Sequence, residues 1–337
     1  MIDFDEFDIN PHLQVSDEVD AAIRDLERPP EAYHHMPWGA LDQVMGGMPG
    51  GEVCYVAAFS SSGKTTFLTS LLNEYFDNTA KRVYYMGLES KPKTLRTHWA
   101  CKRLGYDAGD LLSGKFHEWA NRDEAVMEIK REIRTQFIGD KLDRVRFCPT
   151  SYINAEKIYK AADQAAEFGA DIFIIDHVDH IEGSNSQSDY KASREATQAI
   201  LNIAQEYGFL MLPATQLNNE AVKQNRIALH LPPQPQHVKF GGHKRETATW
   251  MIGVYRPLRV AGVEPEVLKA INAGVHKNPF DACEPNTMAA VFMKHRFYGN
   301  REWQRVYLRC ERGRVMDADQ TIYTAKTVSD DGMRMSP

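Results

Sequence analysis

Residues 58–66 read Ala58-Phe59-Ser60-Ser61-Ser62-Gly63-Lys64-Thr65-Thr66. Small residues followed by Gly-Lys-Thr form a loop whose backbone N–H groups surround phosphate. In such a loop Lys64 neutralises phosphate charge and the Thr65 hydroxyl holds Mg²⁺. Ala58 stands where the first glycine of the pattern is usual. A Gly-Lys-Thr also occurs in ordinary surface turns, so the flanking residues decide. An apolar run, Val53-Cys54-Tyr55-Val56-Ala57, precedes the loop, and Phe67-Leu68-Thr69-Ser70-Leu71-Leu72 follows it. Strand, loop and helix in that order are the context phosphate binding requires.

Other apolar runs end in polar side chains of matching chemistry. Arg82–Glu89 is a strand closing on Glu89, and Asp171–Asp176 is a strongly apolar strand closing on Asp176. Phe209–Gln216 is a further strand with Gln216 at its tip. A parallel sheet gathers its ligands at the C-terminal ends of its strands. Phosphoryl transfer to water needs phosphate grip, a metal ligand and a group that orients water. Lys64 supplies the first, Thr65 and Asp176 the second, and Glu89 the third. A carboxylate at a strand end is often a solvated cap; three motifs in register favour a site.

The elements that position these residues follow from pattern. Ser16 caps a helix with Val19, Ala22, Ile23 and Leu26 on one face, stopped by Pro29-Pro30. Three helical turns need a surface, either the chain's own domain or a neighbouring subunit. Helices are predicted over 91–105, 108–137, 153–168 and 190–206. Further strands are predicted at 144–148, 250–255 and 288–293, with a hairpin partner over 301–309. Residues 218–246 read as a long loop with Lys223, Arg226, Lys239, Lys244 and Arg245 but no Asp. Alternating strands and helices predict an α/β fold with a mostly parallel central sheet flanked by helices, ending in β-hairpin strands. We divide the chain into a tail with a helix (1–35), one large domain (36–315) and a flexible polar tail (316–337).

Composition bounds the class. A 43% hydrophobic, 26% charged chain of 337 residues is globular. It has no apolar run long enough to span a membrane. The acidic N-terminus lacks the features of a signal peptide. Five cysteines, odd in number and without a C-x-x-C, suit a reduced, cytoplasmic chain. A net charge of −6 excludes a uniformly basic surface but leaves room for a local basic loop that binds nucleic acid. His177 and His180 flank Asp179, but two histidines without a third ligand make a weak metal motif.

Taken in order, residues 36–312 resemble the C-terminal motor domain of DnaB-type replicative helicases, within the RecA-like ATPases. Gly39-Ala40-Leu41-Asp42 and Gly46-Gly47 resemble the family's entry motif. Ala57 through Phe67 resembles its phosphate loop, where alanine commonly replaces the first glycine. Leu88-Glu89-Ser90 resembles the motif of its catalytic glutamate, and Ile174-Ile175-Asp176 its second acidic motif. Thr215-Gln216-Leu217-Asn218 resembles the motif whose glutamine senses the γ-phosphate and is linked to DNA. Lys294-His295-Arg296 resembles the motif whose Lys and Arg reach the ATP of the adjacent subunit.

The resemblance implies ATP and Mg²⁺ as cofactors, a hexameric ring or open spiral, and 5′→3′ movement on single-stranded DNA in replication. Lys239-Phe240-Gly241-Gly242 resembles the loop that grips the strand's phosphates. Phe240 replaces an acidic residue of that motif, and Lys244 and Arg245 make the segment more basic than the family's. The 16–26 helix resembles the family's linker helix, which packs on the next subunit. The family's N-terminal collar has no counterpart here, so a separate primase or loader is expected, and a phage, plasmid or other prokaryotic source suits a minimal motor. Two other readings stand beside this one: a RecA- or RadA-like ATPase that assembles on DNA without unwinding it, and a signalling ATPase without nucleic acid.

Overall fold

The structure, a computed structural model, describes residues 19–20, 23–24, 26–29, 32–60, 62–88, 92–137, 144–180, 186–218, 233–256, 287–299, 304–311, 314–318 and 323–324. Helix α1 (Gly39–Met45) leads to β1 (Cys54–Ala58), α2 (Lys64–Asn78) and β2 (Val83–Gly87). Next come α3 (Pro92–Leu104), α4 (Ala108–Ser113), α5 (Arg122–Phe137), β3 (Val145–Pro149), α6 (Ala155–Phe168) and β4 (Ile172–Asp176). Then follow α7 (Ser186–Tyr207), β5 (Leu210–Gln216), α8 (Gly241–Thr247) and β6 (Trp250–Tyr255). The chain continues through β7 (Thr287–His295), β8 (Gln304–Glu311), β9 (Arg314–Asp317) and β10 (Tyr323–Thr324).

One sheet runs β10-β8-β7-β6-β1-β5-β4-β2-β3, with β9 paired to β8. The strands from β6 to β3 are parallel; β7 to β10 add antiparallel pairs. This is the mostly parallel α/β fold expected from the alternating elements. Strands β1, β2, β4 and β6 are buried along their whole length because helices cover both faces.

The period-two alternation of the strands sorts their side chains onto two cores. Val83, Tyr85, Ile172, Ile174, Leu210 and Leu212 pack with Phe67, Leu71, Leu95 and Trp99, so α2 and α3 cover that face. Tyr84, Met86, Phe173, Ile175 and Met211 pack with Ile158, Ala162, Ile200 and Ile203 of α6 and α7 on the other. Helix α6 shows how local sequence sets an element. Asn154 caps its start by accepting from the Lys157 N–H at 2.9 Å, Gly169 ends it in the left-handed region, and Ala161, Ala162 and Ala165 are buried with Ile158 and Phe168.

Several expectations change. The single helix expected over 108–137 is broken after Ser113, where Gly114 adopts φ 85°, and resumes at Arg122. Its α5 part contributes Ile129, which packs with Ala100, Cys101 and Ala108 in a third small core. The long loop expected over 218–246 contains a 3₁₀ turn, Pro235–His237, and helix α8. Residues 219–232, with Lys223 and Arg226, lie outside the described residues.

The division at 316 falls inside β9. Val315 O accepts from the Trp38 indole N–H at 3.1 Å, and an Asp317 carboxylate oxygen accepts from the Gly39 N–H at 2.8 Å. Arg314 pairs with Glu74 on α2 at 2.8 Å, and the Val315 N–H donates to Ser70 Oγ at 3.0 Å. The last strands thus brace the helix that starts at Lys64.

The described part of the N-terminal segment is helical at Val19, Asp20, Ile23, Arg24 and Leu26. Val19, Ile23 and Leu26 are 51%, 47% and 88% exposed, so this chain's own domain does not cover them. Ala22 lies outside the described residues. Among the described residues, no helix is long and apolar enough to cross a membrane.

Candidate functional site

Strand register brings the expected site residues to one edge. Ala58 pairs with Gln216 on one side and Val254 on the other, and Gly87 pairs with Asp176. Leu88, which follows β2, donates its N–H to Asp176 O at 2.8 Å. The next residue, Glu89, lies outside the described residues, as does Ser61 in the phosphate loop.

Ala58 is a fully buried strand residue, and the only positive-φ non-glycine among the described residues is Phe240. Position 58 therefore makes no conformational demand for glycine. Gly63 does: its φ is 96°. It caps α2 without a side-chain hydrogen bond, and no acidic residue lies in that helix's first turn. No side chain caps the start of α2, whose positive dipole end favours an anion there. Ser60 is exposed, Ser62 is buried with its N–H on Phe59 O at 3.1 Å, and Thr66 is half-buried.

Three side chains meet on the Asp176 carboxylate, which is 2% exposed. Thr65 Oγ1 and Tyr85 OH each donate to Oδ2 at 2.8 Å. Lys64 Nζ stands 3.5 Å from Oδ1, which is buried and has no hydrogen-bond partner among the described residues. A buried carboxylate oxygen without a donor, beside a Thr hydroxyl and an uncapped helix start, fits Mg²⁺ with a polyphosphate. Thr65 and Asp176 would hold the metal, Asp176 through water; Lys64 and the α2 amides would hold phosphate.

Tyr85 is a site residue that the motif reading missed. Arg256 is another. It follows β6, and its buried Nε, unpaired among the described residues, lies 3.7 Å from where a Cβ on Gly63 would stand. Its position one residue past an apolar strand was the available sign.

Gln216 is held by its backbone. Its N–H donates to Asp179 Oδ2 at 2.6 Å, and its O accepts from the Lys239 N–H at 2.8 Å. Leu217 N–H donates to Ala58 O at 2.8 Å, so the end of β5 is bonded to the start of the phosphate loop on one side and to Lys239 on the other. Gln216 Nε2 approaches His177 Nε2 at 3.5 Å. Asp179 has a second environment of its own: it accepts from Thr215 Oγ1 at 3.0 Å and pairs with Lys244 at 2.5 Å. Burial alone raises its pKa, but Lys244, His177 and the Gln216 N–H outweigh burial and hold the carboxyl well below the usual range. Burial pulls the Lys244 ammonium down against the opposing pull of Asp179. With three acceptors at 2.5–2.9 Å around Nζ, we take the pair as ionised.

The expected DNA-contacting residues divide. Lys239, Phe240 and Gly241 are half-buried, and Gly242 and Arg245 are exposed. Phe240 takes φ 53° and starts α8, with the Lys239 ammonium 5.4 Å from its ring centre. Lys244 departs from the expectation: at 1% exposure its charge is turned inward onto Asp179 instead of outward. Lys294 and Arg296, expected to reach a neighbouring subunit, here meet the C-terminal end of α8. Lys294 Nζ donates to the Arg245 and Ala248 carbonyls at 2.5 and 2.6 Å, and Arg296 Nη2 to Glu246 O at 3.1 Å. Cations suit the negative end of a helix. The His177 and His180 rings lie 4.4 Å apart, tilted against each other, and no metal-ligating cluster occurs among the described residues.

The family model for the DnaB-like helicase C-terminal domain matches residues 36–271. No curated protein matches the chain. Among solved structures, that of a DnaB-like replicative helicase and its interactions with primase aligns with TM-score 0.66 at 16% identity, covering 89% of this chain and 68% of that one. A second solved structure, an isolated ATPase domain, aligns with TM-score 0.67 at 15% identity, covering 90% of this chain and 99% of that one. The RadB recombinase aligns with TM-score 0.46 at 15% identity, covering 83% and 97%.

Proposed function

The chain belongs to the family of DnaB-like helicase C-terminal domains, and from that premise we propose that it is an ATP-driven motor that moves along single-stranded DNA and unwinds duplex ahead of it. The reading is carried by the meeting of Lys64, Thr65 and Tyr85 on Asp176 at the uncapped start of α2. Bound Mg²⁺ supplies charge neutralisation between phosphate oxygens. Lys64 and the α2 amides grip the terminal phosphates, Thr65 and Asp176 hold the ion's coordination shell, and Glu89 orients the attacking water. Gln216 stands where β5 leaves this edge and reports to segment 239–247, which faces the strand with Lys239, Phe240, Gly241, Gly242 and Arg245.

Arg296, exposed at the end of β7, acts on the neighbouring subunit's ATP together with Lys294, so hydrolysis depends on assembly. Both must leave the α8 carbonyls to do so. The bare face of Val19, Ile23 and Leu26 supports assembly into a hexameric ring or spiral by packing on the next subunit. Removing residues 1–30 then lowers the particle mass seen by light scattering with ATP; an unchanged mass overturns this assignment. Movement is 5′→3′, and a separate primase or loader completes the system.

The test is unwinding of a forked duplex, with Lys64→Ala and Arg296→Ala as inactive controls. Strand separation by the wild type alone supports the motor. ATPase activity stimulated by single strands without separation favours an ATPase that assembles on DNA. An ATPase indifferent to DNA overturns both.

A further inference from the structure

We propose that Asp179 and Lys244 are positioning residues whose ion pair closes a circuit between the Gln216 and Lys239 peptides and so passes the state of the nucleotide site to segment 239–247. The proposal rests on the nucleotide-site reading above. The circuit has four links. The Gln216 N–H donates to Asp179 Oδ2 at 2.6 Å. Asp179 Oδ1 takes the Lys244 ammonium at 2.5 Å. Lys244 Nζ also donates to Lys239 O at 2.8 Å, and the Lys239 N–H returns to Gln216 O at 2.8 Å. Thr215 Oγ1 lies inside it, donating to Asp179 while accepting from Lys244 at 2.9 Å.

The circuit joins three parts of the fold. Asp179 follows Asp176 by one turn of chain, so it shares the exit of β4 with the metal-holding carboxylate. Gln216 ends β5 beside Ala58, the first residue of the phosphate loop. Lys244 lies in the middle of α8, whose first residues carry the expected DNA contacts. A short antiparallel ladder, Leu217 with Val238 and the Asn218 N–H on His237 O at 2.7 Å, runs alongside. A shift of β4 against β5 at the nucleotide edge therefore moves Asp179, and with it the backbone of α8.

A purely structural role explains the pair poorly. A buried ion pair seldom stabilises a fold more than apolar side chains of the same volume. This pair instead places its remaining hydrogen bonds on the peptide groups that frame the glutamine. Apolar replacements would fill the space and leave those groups unguided.

Hydrogen exchange read by mass spectrometry on the full chain tests this, with and without Mg²⁺ and a non-hydrolysable ATP analogue. In the wild type the nucleotide slows exchange at 58–66 and changes it at 239–247. The double variant Asp179→Leu/Lys244→Met, which leaves no lone buried charge, keeps the protection at 58–66 and loses the change at 239–247. Lys244→Arg retains it. A double variant that still passes the full change to 239–247, or a wild type in which 239–247 ignores the nucleotide, overturns the proposal. A wild type without protection at 58–66 overturns the nucleotide reading and the proposal together. Transmission to 239–247 in a chain that binds no single-stranded oligonucleotide supports the proposal and overturns only the DNA reading.

Discussion

The Thr65 hydroxyl donates to Asp176 Oδ2 at 2.8 Å and so joins the first turn of α2 to the last residue of β4. With Tyr85 on the same oxygen, Oδ2 is fully engaged and Oδ1 is left toward Lys64. The carboxylate is thus oriented before any ligand arrives. On the proposed reading, in which Asp176 would act on the metal through water, Asp176→Asn should lower Mg²⁺-dependent ATPase activity by about 10–100-fold, the usual cost of losing an outer ligand. Titrating activity against Mg²⁺ checks this: the variant's curve should shift to higher metal. An unshifted curve removes Asp176 from the metal site.

Tyr85→Phe isolates orientation from charge. The ring stays in its buried place, and only the hydroxyl that fixes Oδ2 is lost. A hydrogen bond to a charged group is worth about 1.5–3 kcal/mol, so up to that much of the carboxylate's orientation is at stake. The expected result is an activity curve shifted to higher Mg²⁺, with an unchanged circular dichroism spectrum and unchanged nucleotide affinity measured without metal.

Gly63→Ala strains the start of α2. At φ 96° any side chain is disfavoured, and a Cβ there would stand 2.8 Å from Met288 Cε. The flexible methionine can withdraw, so backbone conformation dominates at roughly 1–2 kcal/mol. Thermal melting should show the loss, together with weaker nucleotide binding as the loop relaxes. Ala58→Gly should bring no gain, since position 58 is ordinary buried strand.

The parallel sheet was legible because strands buried on both faces read as unbroken apolar runs, as in Ile172-Phe173-Ile174-Ile175. Asp176 was legible because it ends such a run, and Lys64 and Thr65 because they open the helix that follows one through a loop of small residues. The Tyr85–Asp176 contact was not. It depends on β4 lying beside β2, an order fixed by how helices cross over and not by either strand's own residues. Once that order is known, alternation puts Tyr85 and Asp176 on one face. Lys244 was read from its charge as facing solvent, because its partner Asp179 is 65 residues away. Helix α8 was hidden by Gly241-Gly242 at its start; its C-terminal end is held by Lys294 and Arg296, about fifty residues on. Gly114, between two short helices, was the unused sign that 108–137 is not one element.

Acid should destabilise the fold through His34. Its ring is buried, its Nδ1 lacks a partner among the described residues, and its backbone pairs with Met48. Burial first, then the charges of Lys81 and His35, push its pKa down to about 3. The unfolded chain therefore binds this proton between the ordinary value of about 6.5 and the folded one, while the folded chain does not. The stabilisation is whole above the ordinary value and is lost progressively as pH falls through that window. From pH 7 to 5 it should amount to about 2 kcal/mol. Urea melts at these two values should show it, and His34→Leu should flatten the difference.

Salt dependence of DNA binding separates outward charges from inward ones. Each phosphate neutralised on a single strand contributes about 0.7 to the slope of log affinity against log salt. Arg245 is exposed and Lys239 half-buried near the Phe240 ring, and on the proposed reading both would meet a strand. Arg245→Ala and Lys239→Ala should each reduce the slope by about 0.7. Lys244 already has its counter-charge, Asp179, within the protein. Replacing both members of that pair removes no net charge and releases no counterion from DNA. The slope of Asp179→Leu/Lys244→Met should therefore equal the wild type's even if its affinity falls. Fluorescence anisotropy of a labelled oligonucleotide over a salt series reads all three variants. A slope reduced by about 0.7 in the double variant would mean that Lys244 turns outward to phosphate when DNA is bound.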